Sequence, residues 1–180
     1  MASDIYLIRH CQAGGQAPDA ALTAAGRTQA QRLGDALATA GITRIVASPF
    51  RRAWDSAAPL ASRLGLDILV DDRLAERVLT TEPAEDWRDR LRRSFADPAL
   101  SWPGGESGAT ATQRGRAALD AATTDADGAV AVVTHGNLLA LILHSLDRRD
   151  GFDTWAGLTN PDVFRIDGTG QIHRQWTDEA

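Results

Sequence analysis

A short apolar run, Ile5, Tyr6, Leu7 and Ile8, predicts a buried strand over Asp4 to Ile8, ending at Arg9 and His10. A loop holding Gly14, Gly15 and Pro18 follows. Thr23 is then placed to cap a helix in which Ala30, Leu33 and Leu37 recur at helical spacing, with Gly41 as its stop. Arg44 to Ala47 predicts a second strand. Ser48 and Pro49 read as an N-cap serine followed by a first-turn proline, opening a helix towards Leu64 and Gly65 in which Pro59 is a candidate kink. Leu66 to Val70 predicts a third strand, and the β, α, β, α, β alternation points to a parallel sheet covered on both faces.

Downstream, Pro83 near a helix start and Trp87, Leu91 and Phe95 on one side predict a helix between Thr81 and Phe95, with those apolar positions in the core. Asp97 to Gly108, rich in proline and glycine, is an irregular loop, and Ala109 to Ala122 a helix. Ala129 to Thr134 is the clearest buried strand in the chain. A helix over Leu138 to Leu146, a loop holding Trp155, and strands near Val163 to Ile166 and Ile172 to Trp176 complete the pattern. The expected fold class is α/β: three layers, a mostly parallel central sheet with helices on both faces. At 180 residues and 43% apolar composition, a single domain over 1–180 is expected.

No apolar stretch is long enough to span a bilayer, because Thr134, His135, Gly136 and Asn137 interrupt the longest one. The first nine residues enter a strand without a basic and then apolar leader, so a cytoplasmic location with no membrane partner is expected. The single cysteine, Cys11, agrees with a reducing compartment. A formal charge of −5 argues against nucleic acid as a partner, and the basic run Arg88, Arg90, Arg92 and Arg93 is surrounded by Glu82, Glu85, Asp86, Asp89 and Asp97, as on a solvated helix face of mixed charge. All 19 basic residues are arginine and none is lysine. Chemistry that needs a lysine amine is therefore excluded, including the P-loop lysine and Schiff-base catalysis.

Ligands of open α/β sheets bind beyond the carboxyl ends of the strands. Three predicted strands end there in informative residues: Arg9 and His10; Ser48 with Arg51 and Arg52; and His135, Gly136 and Asn137. Singly, Arg9 reads equally as a surface residue and His135 as a satisfied core histidine. Together they gather arginines, histidines and helix N-termini on one sheet edge, which suits a compact anion, above all phosphate.

The run Leu7, Ile8, Arg9, His10, Cys11, Gln12, Ala13 resembles the signature of the histidine phosphatase superfamily, which includes cofactor-dependent phosphoglycerate mutases and many small phosphatases. Further blocks match in order: Leu22 to Gly26 with Gln29 and Ala30; Ser48 to Ala53; Leu74 to Glu76; Gly104 to Ser107; and Thr134 to Gly136. The resemblance covers essentially the whole chain and implies a phosphoglycerate mutase-like fold. It also implies that His10 attacks phosphorus and becomes a phosphohistidine, with Arg9, Arg52 and His135 clamping the phosphoryl oxygens. Gln16 stands six positions after His10, where the family often has a clamp asparagine, and Gly136 and Asn137 follow as further phosphate or substrate contacts. Glu76 resembles the acid that protonates the leaving group and then activates water. Glu106 and Ser107 are candidates to orient substrate or brace the histidine pair.

The implied activity is a metal-independent phosphomonoesterase acting on a small-molecule phosphate ester, with no cofactor. Specificity is expected from 80–103 and from the region around Trp155. The alternatives are a phosphoglycerate mutase, a phosphohistidine-protein phosphatase and a catalytically weak phospho-ligand binding module. The short chain and the lack of basic residues between Cys11 and Gly26 weigh against the mutase. Cys11 replaces the family's usual glycine, but position 17 is Ala17, not the arginine a cysteine phosphatase loop needs. His10, His135, His144 and His173 form no clustered ligand motif, so no metal is expected.

Overall fold

The computed structural model describes residues 3–177. Strands β1 (Ile5–Arg9), β2 (Ile42–Ala47), β3 (Ile68–Val70), β4 (Ala129–Thr134), β5 (Asp162–Ile166) and β6 (Ile172–Thr177) form one six-stranded sheet in the order β3-β2-β4-β1-β5-β6. The four strands from β3 to β1 run parallel, whereas β5 is antiparallel to β1 and β6 to β5. This is the mostly parallel α/β sheet expected from the alternation, with an antiparallel edge.

Strand side chains alternate between two cores. Leu7, Val130 and Val132 face one side, with helices α3 (Trp87–Ala96), α4 (Gly108–Thr123), α5 (Gly136–Asp147) and α6 (Gly151–Ala156). Ile8, Ala131 and Val133 face the other, with α1 (Ala24–Leu37) and α2 (Arg51–Leu64). Helix α5 is buried continuously from Gly136 to Leu143, as its nearly unbroken apolar sequence requires. Among the described residues, no helix is long and apolar enough to cross a membrane.

Several expectations need correction. Ser48 does not cap α2, whose N-cap is Phe50; the Ser48 hydroxyl accepts from the Phe50 amide and turns to His135 instead. The helix expected from Thr81 begins only at Trp87. Upstream amides are committed elsewhere, Thr81 N to Pro103 O and Glu82 N to Thr80 Oγ1, and from the glycine loop Glu106 N returns to Val78 O. That pairing lays 78–81 against the glycine loop so closely that a Cβ on Gly105 would meet Leu79 O at 2.1 Å. Trp87 is not core, being 46% exposed, although Leu91 and Phe95 are buried. Trp155 lies on the short helix α6, whose N-cap Asp150 accepts from Asp153 N, and not in a loop.

Candidate active site

Each parallel strand delivers part of the site at its carboxyl end. Arg9 closes β1, and His10 follows, its amide donating to Thr134 O at 3.0 Å. Ser48 follows β2, and its amide is held by Val133 O. Arg52 stands in the first turn of α2 and His135 between β4 and α5. Beyond β3, a 3-10 turn (Asp72–Leu74) carries the chain to Glu76.

The His10 ring donates from Nδ1 to Cys11 O at 2.7 Å, which leaves Nε2 unprotonated to accept from Arg52 Nε at 3.2 Å. Burial, then the charges of Arg52 and Arg9, lower the His10 pKa to about 3 against the opposing Cys11 hydrogen bond. His135 is fully buried, its ring 5.1 Å from that of His10, and its pKa is also lowered, first by burial. Its Nε2 pairs with Ser48 Oγ at 2.7 Å, whereas its Nδ1 is buried without a hydrogen-bond partner. When the Ser48 hydroxyl, which accepts from Phe50 N, donates to Nε2, the neutral ring carries its proton on Nδ1.

Arg52 is 1% exposed and is anchored by donation from Nη1 to the carbonyls of Gln16 and Ala17. Arg9 donates from Nη1 to the carbonyls of Leu158 and Thr159, and its Nε is buried without a partner. A Cβ on Gly136 would sit 3.2 Å from that Nε, so the glycine lets α5 start against the guanidinium. Glu76 caps the same helix. Its Oε1 accepts from the amides of Arg77 and Leu138, and its Oε2 from that of Asn137. The carboxyl group thereby accepts from amides that the first turn of the helix leaves unpaired.

Arg9, His10, Gln16, Glu76, Gly136 and Asn137 all line one cleft of about 440 Å³. Glu106 and Ser107 are not brought to it. Glu106 grips Arg114 through both carboxylate oxygens, and Ser107 caps α4 by accepting from Thr110 N. Their location corrects the expectation of a direct contact with substrate or the histidine pair. Arg114 also donates to the carbonyls of Arg73 and Ala75, so the pair supports the segment that carries Glu76.

Two groups escaped the sequence. Asn160 donates from Nδ2 to His10 O at 2.7 Å. Asp162, fully buried at the start of β5, accepts from Thr159 N and from Arg174, fixing the loop whose carbonyls hold Arg9. The dipeptide Asn160 and Pro161 signals only a turn, and nothing local connects it to position 10.

The model of the histidine phosphatase superfamily, branch 1, matches residues 5–176. The chain belongs to the histidine phosphatase superfamily. Among its superfamily relatives, a Salmonella paratyphi B protein named as a probable phosphoglycerate mutase is 31% identical over 185 residues, spanning 91% of this chain and 84% of its own. A mycobacterial glucosyl-3-phosphoglycerate phosphatase in complex with inorganic phosphate superposes with a TM-score of 0.76 at 27% identity, covering 99% and 98% of the two chains. A phosphoserine phosphatase from Entamoeba histolytica shares the fold, with a TM-score of 0.75 at 18% identity over 97% and 95% of the chains. Superfamily membership and the phosphatase neighbours agree with the phosphatase assignment made from the sequence.

Proposed function

We propose that the protein hydrolyses small phosphate monoesters through a phosphohistidine at His10, without a metal. The observation that carries this reading is the state of the His10 ring: neutral, with Nδ1 spent on a carbonyl and Nε2 presented beside Arg52. Such a nitrogen attacks phosphorus without first losing a proton. The transition state is loose and its charge lies on the equatorial oxygens, so catalysis is mostly positioning and charge stabilisation. Arg9 Nε is a buried donor without a protein partner and suits those oxygens, as does His135 Nδ1 in the tautomer that carries its proton there, and Arg52 reaches the attacking nitrogen through its Nε.

In the first step the Nε2–P bond forms and the P–O ester bond breaks, while Glu76 gives its proton to the leaving oxygen. In the second, Glu76 takes a proton from water as that water attacks phosphorus and the P–N bond breaks, releasing phosphate. Among the described residues, no group of three or more His, Cys, Asp or Glu could hold a metal ion. Arginines supply the positive charge instead.

A mutase must also hold the carboxylate and second phosphate of its bound intermediate. Beyond the clamp, Arg77 is the one further cation among the described residues lining the cleft; its Nε and Nη1 are bonded to Glu106 O and Ser94 Oγ, and only its buried, unpartnered Nη2 is left for the two anionic groups. Hydrolysis is favoured for that reason. The test is turnover of an aryl phosphate with a chelator present. Wild type is expected to retain its rate and His10→Ala to lose at least about a thousandfold; equal rates in the two proteins would remove His10 from the mechanism.

A further inference from the structure

The cleft has a second half that the phosphoryl chemistry does not use. Its outer wall is built from Leu79, Trp87, Leu91 and Trp155. Trp87 opens α3 and Trp155 lies on α6, and their indoles meet edge to face with centroids 5.8 Å apart at 84°. Trp87 nevertheless keeps 46% of its surface in water at the cleft wall. A large apolar side chain left half wet in a concave site gains when a ligand covers it.

Stacked side chains join the two helices that carry this wall. Arg88 stacks over Trp155 at 5.2 Å and over Phe152 at 5.6 Å, Arg92 lies over Phe152 at 4.3 Å, and Phe152 packs on Trp155 at 5.5 Å. Cation and ring contacts of this kind tie α3 to α6, so the two indoles cost little ordering when substrate binds. The cations on this side are Arg88 and Arg92, which lie over the rings, and Arg77. The chain contains no lysine, and Arg77 has Nε and Nη1 bonded to Glu106 O and Ser94 Oγ, with Nη2 buried and unpartnered.

We propose that the Trp87 and Trp155 pair forms the leaving-group subsite and selects monoesters of flat, apolar alcohols over small ones. This rests on the phosphatase reading above. Benzyl, ethyl and carboxymethyl phosphate all release primary alkoxides, so comparing them reads the subsite more than leaving-group reactivity. Wild type is expected to show kcat/KM about 10- to 100-fold higher for benzyl than for ethyl phosphate, with the carboxymethyl ester below benzyl. Trp87→Ala, at a half-exposed position that folding tolerates, is expected to cut the benzyl-to-ethyl ratio about tenfold, and Trp155→Ala to do the same.

A ratio near one in wild type, or one unchanged in both variants, would overturn the subsite. So would carboxymethyl phosphate proving the best of the three, since that would hand recognition to Arg77. Turnover of none of them by wild type would overturn the hydrolytic reading itself, and the subsite with it.

Discussion

His10 occupies a position where a protonated ring would be useless and costly. Burial and two neighbouring guanidinium groups disfavour the imidazolium, so the folded protein holds the ring neutral down to about 3, against an ordinary value of 6.5. Between those values the unfolded chain binds the proton and the folded chain does not. Stability from this group is therefore complete above pH 6.5 and falls as the pH drops towards 3. His135 shifts in the same direction and adds to the slope. His10→Asn is expected to flatten part of the acid side of a plot of Tm against pH, while leaving the neutral plateau with little slope. Thermal melts at fixed ionic strength check this, and an unchanged acid slope would show that the ring is not buried neutral. The residues of this centre were largely legible beforehand, because Arg9, His10, Arg52 and His135 each sit at or just beyond a strand end. Ser48 was not read correctly. A serine before a proline is the usual start of a helix, but here a buried imidazole nitrogen competes for the hydroxyl.

At the level of elements, the site depends on segments that contribute no atom to the cleft. Glu106 and Arg114 form a two-point ion pair between the glycine loop and α4, and Arg114 reaches on to two carbonyls before Glu76. Loosening this brace should displace the carboxyl group more than the nucleophile. Glu106→Ala is thus expected to slow hydrolysis of alkyl phosphates about tenfold while changing aryl phosphates by less than about threefold, since only the poor leaving group needs the acid. Steady-state kcat for one ester of each kind decides it, and equal losses would mean a general loosening of the fold. Contacts such as these are poorly legible in sequence, because they join positions far apart whose local patterns are unremarkable loops and caps. Trp87 failed for a related reason. Its spacing with Leu91 and Phe95 marks one helix face, but that face passes from the core to the cleft within its length. Glycine shows the same dependence on distant partners. A Cβ on Gly26 would strike Gln12 O at 2.0 Å, so α1 can approach the loop after His10 only without a side chain there.

Across the whole molecule, the α/β alternation was readable because β1 and β4 are buried on both faces and therefore appear as unbroken apolar runs. The direction of β5 was less accessible, since neither its length nor its composition distinguishes a parallel partner of β1 from an antiparallel one. That direction determines how the molecule can be handled. Arg9 pairs with Asp162 at the edge that carries the cleft, and β6 returns to that edge, where Thr177 pairs with Asp162. Strand β1 instead begins at the far edge, with Ile5 beside Val130 and Ile166. An immobilised enzyme linked to its support through chain ahead of β1 would thus turn its cleft towards the solution. Linked through chain after β6, the same enzyme would present its scaffold to the reactor and its mouth to the bead.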